Sequence, residues 1–511
     1  MASVSIRTLA GKWIMTSAIL ASSMAFIDST ALNVVLPSLQ KSLHATGADL
    51  FWILNAYLLM LASLILVGGS LGDRLGRKKV FMTGIAVFVT GSAACGLAPH
   101  TGQLILFRVL QGLGGALMIP GSLALISSSI EEKEKGKAIG TWSAITTVVT
   151  MGGPILGGTL ADAGLWRYIF FINVPIGIAT LLVLWRKVEE PPIEKAADSG
   201  IDIPGAISIA LGLAALTFGF LRIPALGFHH WIVRGSLIVG LVLLVLFVIT
   251  ERRSKHPMMP LSLFANPVFA GVNGLSFFLY AGLGAGMLFL SLNFIQMQGY
   301  NQLESGMTFL PFTILMVLLA RPAGTLSDRI GPRIFLTVGP ATAGAGLLLL
   351  SLIGQTRGPT HYWTTYFPGV LVLGLGMSLT VAPLTTTVMR SVSDIQSGLA
   401  SGVNNAMTRI ANVFANAIFG ALAILFFTGT LHQRIDRWGL APATKEIVLA
   451  QTTDLGNAHV PDTVPKKDRP AVAAAYRDGF ISTYQKILRL AACLAFIGAA
   501  IGFISVRKPA T

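Results

Sequence analysis

Two residues of opposite charge, Asp28 and Arg108, lie within long apolar stretches of this 511-residue sequence. An ionisable side chain inside an apolar helix is costly, so it usually has a partner or a task. At about 1.5 Å of rise per residue, the two are predicted at similar depths in their helices, where they can pair. Two interpretations follow. The pair is either a permanent structural ion pair, or Asp28 exchanges a proton or meets a cationic ligand while Arg108 tunes its proton affinity.

A second acidic candidate for proton exchange is Glu304, at the start of a predicted helix and matched by Asp49 in an earlier one. Acidic residues at helix starts are often simple caps, and that interpretation competes with proton exchange. Arg321 and Arg409 also lie within apolar stretches. Both are predicted towards the cytoplasmic ends of their helices, where long side chains can reach the polar surface. Neither by itself indicates an anionic ligand.

A charged turn punctuated by glycine occurs twice between apolar stretches, at residues 69–79 and 324–333. In each copy an acid is followed directly by a base. Both copies are predicted to lie at the same face of a membrane. Their charged residues of interest are Asp73, Arg74, Arg77, Asp328 and Arg329.

The acids of these turns are candidates for contacts between distant helices. A carboxylate at a helix end can cap the positive N-terminus of a neighbouring helix. We expect Asp73 to cap the helix that begins near Gly398, and Asp328 to cap its counterpart near Gly136. The alternative is that the two acids only shape their turns and set the topology.

The elements that position these residues must be membrane helices. The chain is 53% hydrophobic and 12% charged, with a mean hydropathy of +0.72, which leaves too little polar surface for a soluble globule. A net charge of +15 would suggest nucleic acid in a soluble protein, but here the bases occupy short loops. We therefore expect no nucleic-acid partner. Cys95 and Cys493 lie in apolar stretches and predict neither a disulfide nor a metal site.

Counting spans of about twenty residues predicts fourteen helices in an all-α membrane protein. The first six occupy residues 13–186 and are followed by a linker at 187–202. Two further helices lie at 203–250, with a second linker at 251–267. The last six occupy 268–506 and include an external loop at 428–479. The excess of Lys and Arg in the short loops of one side predicts that both termini and both charged turns are cytoplasmic.

The first six helices resemble the last six. One offset relates Asp49 to Glu304, Gly69 to Gly324, and the acid, base and glycine of the first charged turn to those of the second. A slightly larger offset relates Gly112 to Gly374 and further pairs of glycines. Repeats of this kind are typical of membrane proteins built from two equivalent halves. The middle two helices are then an insertion.

Several motifs resemble those of the major facilitator superfamily, and within it the fourteen-helix drug:proton antiporters. The first charged turn is similar to the loop motif between the second and third helices, and residues 108–114 to the fourth-helix motif. A stretch in the fifth helix resembles the antiporter motif, with Val149 replacing one of its glycines. The residues that match this antiporter motif are Gly140, Gly153, Pro154, Gly157 and Gly158.

The resemblance implies two six-helix halves with two inserted helices, and a protein that exports lipophilic, cationic drugs by alternating access. Energy would come from the proton gradient without a cofactor, since the sequence contains no phosphate-binding P-loop. It also implies a multi-pass protein of the bacterial inner membrane, contacting lipid and small amphiphilic substrates, with an adaptor protein as a partner of the external loop. Two alternatives remain open: a carrier for a specific metabolite, and a sensor or scaffold that transports nothing.

In the family arrangement, a substrate cavity lies between the halves. Aromatic walls with few polar groups suit amphiphilic compounds. We expect about a third of the candidate aromatic side chains to contact substrate. The cavity candidates are Phe26, Tyr57, Gln111, Trp142, Asn293, Phe309, Asn404 and Asn405.

Overall fold

The computed structural model describes residues 4–190, 202–254, 257–356, 358–392, 396–435 and 442–506. Within these ranges the chain is almost entirely helical. The helices are α1 (Leu9–Leu43), α2 (Gly47–Leu75), α3 (Arg77–Leu97), α4 (Thr101–Ser129), α5 (Glu132–Asp162), α6 (Tyr168–Phe171), α7 (Asn173–Lys187), α8 (Ile203–Leu226), α9 (Trp231–Arg253), α10 (Pro267–Gln296), α11 (Gln302–Met307), α12 (Leu310–Ile330), α13 (Pro332–Ser351), α14 (Tyr366–Arg390), α15 (Ser397–Ile435), α16 (Pro442–Ala450) and α17 (Arg469–Ser505).

Thirteen spans within the described ranges are long and apolar enough to cross a membrane, counting α6 with α7 and α11 with α12 as single spans. The chain is therefore a multi-pass membrane protein. Helix α5 is a further helix of 31 residues that lies against α1. Whether α5 completes a set of fourteen spans stays a prediction.

The packing follows the predicted organisation in two halves. Helices α1 to α7 pack together as one bundle, and α10 to α17 as another. The inserted helices α8 and α9 pack on each other, and α8 rests on α2 and α15. Most of the first predicted linker lies outside the described residues, which resume at position 202. The long loop predicted at 428–479 is shorter than expected, because α15 continues to Ile435 and α17 already begins at Arg469.

The two charged turns adopt the same backbone conformation. Gly76 joins α2 to α3 with φ of +105°, and Gly331 joins α12 to α13 with φ of +94°. Side chains with a Cβ rarely adopt this region, so glycine is the residue that permits both sharp connections. The end of the bundle that carries these turns is called the hinge end below.

The opposite end is covered by a cap segment, residues 442–468, which bridges the two halves. The Gln40 side chain of α1 donates to the Asp454 carbonyl at 3.2 Å. From the other half, the Tyr476 hydroxyl of α17 donates to the Val448 carbonyl at 2.8 Å. This end of the bundle is called the cap end.

The halves meet at the cap end and also along α2 and α15, where Gly402 packs against Leu66 nearer the hinge end. Between α5 and α12, contact is confined to the cap end. Gly158 of α5 packs against the backbone of Gln302. Nearer the hinge end, a Cβ added at Gly140 would meet no atom within 4 Å. On the facing helix, Leu326 and Ile330 are each 48% exposed. The bundle is thus closed at the cap end and open between these two helices at the hinge end.

Candidate functional site

Asp28 and Arg108 form an ion pair in the first half, as their predicted depths suggested. An Nη1–Oδ2 distance of 2.5 Å joins them, and the two side chains are 0% and 1% exposed. Gln111 completes the cluster: its Nε2 donates to Asp28 Oδ1 at 2.8 Å, and its Oε1 accepts from Arg108 Nη1 at 2.8 Å. Both carboxylate oxygens are therefore hydrogen-bonded, which is what a buried charge requires.

The neighbouring helix α2 encloses the pair. Arg108 Nε donates to the Ile53 carbonyl at 3.3 Å. Its guanidinium lies 4.4 Å from the centre of the Tyr57 ring, which adds a cation–π contact. Helices α2 and α4 approach closely because position 112 is glycine, where a Cβ would lie 2.5 Å from the Tyr57 carbonyl oxygen. The cluster is thus held rigidly among α1, α2 and α4.

The cluster places one carboxylate in the interior of the membrane helices. Among the described helical residues, Asp28 is the only carboxylate more than ten residues from both ends of its helix. Protonation would remove its negative charge and weaken the contact with Arg108. The geometry accommodates both the structural and the proton-exchanging interpretation.

Glu304 acts as a helix cap in this structure. Its Oε2 accepts from the Asn301 backbone N–H at 2.9 Å, and Asn301 Oδ1 accepts from the Glu304 N–H at 2.7 Å. Asp49 makes the same reciprocal contacts with Thr46 at the start of α2. Of the two interpretations of Glu304, this geometry favours the cap over proton exchange.

The acid of the second charged turn has a partner in its own half. Asp328 pairs with Arg390 of α14 at 2.7 Å, and Arg329 beside it is exposed. The surroundings of position 136 lie outside what the structure describes, so the predicted contact of Asp328 with the helix near Gly136 stays a prediction.

At the first charged turn, a residue that sequence reasoning missed supplies the capping carboxylate. Glu190 accepts from the backbone N–H groups of Lys78 and Lys79 at 2.9 and 3.1 Å, at the start of α3. The Asp73 side chain lies outside the described part of the chain, so its predicted contact with the helix at Gly398 stays a prediction. Arg74 and Arg77 both interact with neighbouring groups.

The antiporter-motif glycines of α5 bring helices together at the cap end. Gly153 and Gly157 pack against α1, where a Cβ at position 157 would lie 2.7 Å from the Ala31 carbonyl oxygen. Across the halves, a Cβ at Gly306 would lie 2.5 Å from the Pro154 carbonyl oxygen. Gly140, nearer the hinge end, packs against nothing.

Asp162 strengthens this contact and was not anticipated. Its two carboxylate oxygens accept from the backbone N–H groups of Gln302 and Leu303, each at 2.9 Å. An acid at the end of α5 thus binds the start of α11 in the other half. Its position at a helix end is the signal in the sequence, but the partner is visible only in the fold.

Three of the predicted cavity residues, Phe26, Trp142 and Asn405, keep exposed surface in this conformation. Phe26 and Trp142 form an aromatic pair with ring centres 6.5 Å apart. The Trp142 indole N–H donates to Ser22 Oγ at 3.1 Å, which fixes the ring. Asn405 is exposed on α15. Aromatic surface in one half and an amide in the other are groups that suit an amphiphilic compound. That they line one cavity stays a prediction.

The other cavity candidates lie deeper in the packing. Tyr57 and Gln111 are buried beside Asp28. Asn293 donates to the Tyr366 hydroxyl at 2.8 Å, and Phe309 packs on Phe294 in the second half. Asn404 donates to side chains of α10, at 2.8 and 3.1 Å. In this conformation Asn293, Phe309 and Asn404 support the second half from within.

Comparisons with known proteins agree with this architecture. A model described as "Major Facilitator Superfamily" matches residues 18–416. The multidrug resistance protein Stp of Mycobacterium tuberculosis is 33% identical over 93% of this chain and 88% of that protein. The tetracenomycin C resistance and export protein of Streptomyces glaucescens is 29% identical, over 94% of this chain and 89% of that protein.

A solved structure shows the same fold. The inward-facing, unoccupied structure of a bacterial homologue of the human lysosomal transporter Spinster superposes with a TM-score of 0.67. The two chains are 18% identical, and the match covers 98% of this chain and 100% of the other. At this identity the likeness speaks for the fold alone.

Proposed function

Because this chain belongs to the major facilitator superfamily, we propose that it exports lipophilic, drug-like compounds in exchange for protons. The observation that carries the proposal is the buried cluster of Asp28, Arg108 and Gln111. The resemblance to proteins named for drug resistance and export supports the direction of transport.

Coupling of proton movement to drug export would depend on whether Asp28 is ionised or protonated. When Asp28 is ionised, it holds Arg108 and Gln111 in the geometry described above. A proton on Asp28 cancels the attraction to Arg108 and frees the guanidinium to move. Because Tyr57 and α2 pack on the same guanidinium, that motion would be passed to α2, which packs on α15 of the other half. Proton binding and substrate binding would thus exclude one another, so that proton uptake accompanies substrate release.

Alternating access would exchange the contacts at the two ends of the bundle. The cap end is closed by Asp162 and by the glycines of α5 packed on α11. The short loops rich in Lys and Arg lie at the hinge end, which the positive-inside rule assigns to the cytoplasm. On that assignment, both termini are cytoplasmic in the bacterial inner membrane, and this conformation faces inward. Rocking the halves would break the cap-end contacts and bring α5 and α12 together.

The test compares Asp28→Asn with Asp28→Glu in a drug-hypersensitive bacterial host. We expect Asp28→Asn to lose resistance across the panel and to abolish proton release when a drug is added to the detergent-solubilised protein. Asp28→Glu keeps a titratable group and should retain part of both activities. Glu304→Gln serves as the matched acidic control and should retain export, since Glu304 is a cap.

Full drug resistance and proton release in Asp28→Asn would contradict coupling through this residue. If wild type confers resistance to no compound, the export proposal itself fails, and a carrier of a specific metabolite becomes the better hypothesis.

A further inference from the structure

Arg409 is a cation that the fold brings into the bundle interior without a partner. It lies twelve residues after the start of α15, roughly 18 Å along the helix at about 1.5 Å per residue. Its Nε is shielded from solvent and has no hydrogen-bond partner. Among the ion pairs of the described residues, none joins Arg409 to a carboxylate. The Nε of Arg409 therefore lies inside the bundle, while the side chain as a whole is half-buried.

Tyr57 of the other half presents a second unsatisfied group at the same place. Its side chain is 1% exposed, and its hydroxyl lies near the Ser29 side chain without a well-formed hydrogen bond. Ala406, which precedes Arg409 by one turn of α15, packs in the same buried cluster as Tyr57. Buried polar groups are nearly always hydrogen-bonded, so two neighbouring exceptions need an explanation. Both groups can donate a hydrogen bond, and a ligand that accepts from both would satisfy them.

The surface around Arg409 is suited to a ligand. Asn405, Arg409 and Asn412 follow one another at spacings of four and three residues, which places them on one face of α15. Asn405 on this face is exposed. In the first half, Phe26 and Trp142 form an aromatic pair, and Trp142 packs against the buried cluster that contains Tyr57 and Ala406 of α15. These residues combine aromatic surface on the first half with a cation and amides on the second.

The charges at this site disfavour a cationic ligand. Asp28 is already neutralised by Arg108 and hydrogen-bonded to Gln111. Arg409 is thus the one uncompensated charge among Asp28, Arg108 and itself. A cation would be repelled by Arg409, whereas an anion would gain a charge-assisted hydrogen bond.

We propose that Arg409, with Tyr57, binds an acidic or strongly hydrogen-bond-accepting group of the substrate. This inference rests on the proposed export function and names its substrate class: lipophilic compounds that carry a carboxylate, phenolate or enolate. It replaces the expectation of a cationic drug. Asp28 then serves the proton, and Arg409 serves the substrate.

The test uses three fluorescent probes that share one apolar body and differ in the charge of the head group: 1-pyrenebutyrate, 1-pyrenebutyramide and 1-pyrenebutylammonium. Binding to the detergent-purified full chain is followed by fluorescence anisotropy. We expect the acid to bind at least about tenfold more tightly than the ammonium compound, as one charge-assisted contact allows. The amide should fall between them.

Variants test whether Arg409 is responsible for the tighter binding of the acid. Arg409→Gln should weaken binding of the acid by about tenfold or more and leave the ammonium compound unchanged or tighter, while Arg409→Lys should keep part of the preference. Arg321→Gln removes an arginine that is exposed on α12, and it should change neither.

Thermal stability distinguishes a ligand-binding role of Arg409 from a structural one. Removing an unpaired buried charge should leave the thermal stability of the ligand-free protein unchanged or raised in Arg409→Gln. A stability loss in Arg409→Gln that Arg409→Lys rescues, with no change in probe preference, would assign Arg409 to structure and overturn the inference.

The remaining outcomes keep this inference apart from the export proposal. Equal binding of the acid and the ammonium compound to wild type would overturn the inference on Arg409. If vesicles export the ammonium compound under a proton gradient, the export proposal stands and only the substrate class is wrong. If drugs are not exported at all, the export proposal fails independently of the binding result.

Discussion

The two halves of the molecule share their packing contacts but not their buried charges. Gly114 brings α4 against α3, where a Cβ would lie 2.6 Å from Phe88 Cα. Gly376 does the same between α14 and α13, with 2.7 Å to Ala343 Cα. Repeated residues therefore build the scaffold twice.

The charged residues of the interior occur once. The offset that relates Asp49 to Glu304 carries Asp28 to Leu283, and the offset that relates Gly112 to Gly374 carries Arg108 to Val370. Arg409 likewise has Thr147 as its counterpart. The other half folds with uncharged residues at the matching positions. The charges of Asp28, Arg108 and Arg409 are therefore candidates for function. In this molecule the repeated residues build the packing, and the unrepeated charges are the candidates for chemistry.

The largest loss of stability is expected when the ion pair of Asp28 and Arg108, which has no counterpart in the second half, is broken. Asp28→Ala should lower the free energy of unfolding by about 3–5 kcal/mol, because it leaves Arg108 buried without its counter-charge. Denaturant titration in mixed micelles, followed by tryptophan fluorescence, measures this. Arg409→Gln is the contrasting variant, since it removes a charge that is already unpaired. A loss below about 1 kcal/mol for Asp28→Ala would show that the pair is not a tight unit.

Substituting alanine for the repeated glycines should lower the stability by an intermediate amount that is equal in the two halves. Gly114→Ala and Gly376→Ala each introduce a Cβ against a neighbouring backbone, and each should cost about 1–3 kcal/mol of stability. The same unfolding titration compares them. Gly140→Ala is the control, because its added Cβ meets no atom and a helical alanine should be neutral or slightly stabilising. Markedly unequal losses of stability at positions 114 and 376 would show that the two glycines do not make equivalent packing contacts in the two halves.

The smallest effects are expected at the repeated caps. Glu304→Ala and Asp49→Ala each remove one side of a reciprocal cap and should cost about 1 kcal/mol. Neither should alter the pH dependence of export, which distinguishes a cap from a proton carrier. A shifted pH profile in Glu304→Ala, with Asp49→Ala unchanged, would restore Glu304 as a candidate for coupling.

Some parts of the site were predictable from single residues and their spacing. An acid and a base at equal depths in two apolar helices have few alternatives to pairing, because neither is stable alone in lipid. The glycines of the two charged turns were equally informative, since their backbone conformation excludes most other residues. The division into two halves with an inserted pair of helices also followed from the repeat.

Other parts depended on contacts between helices that are distant in sequence. Asp328 was assigned a contact with the opposite half, and its partner in this conformation is Arg390 of its own half. Asn293 and Phe309 were expected in the cavity, and the rotation of their helices places them in the core of the second half. Helical spacing alone does not say which face meets a partner.

The membrane helices, the twofold repeat and the unrepeated charges are visible in the chain itself, because hydropathy, glycine spacing and charge are local properties. The folded molecule adds that both carboxylate oxygens of Asp28 are hydrogen-bonded and that Arg409 Nε has no partner. Satisfaction of a buried charge depends on which atoms of other helices come within hydrogen-bond distance. That distance is set by the packing of α1, α2, α4 and α15 against one another.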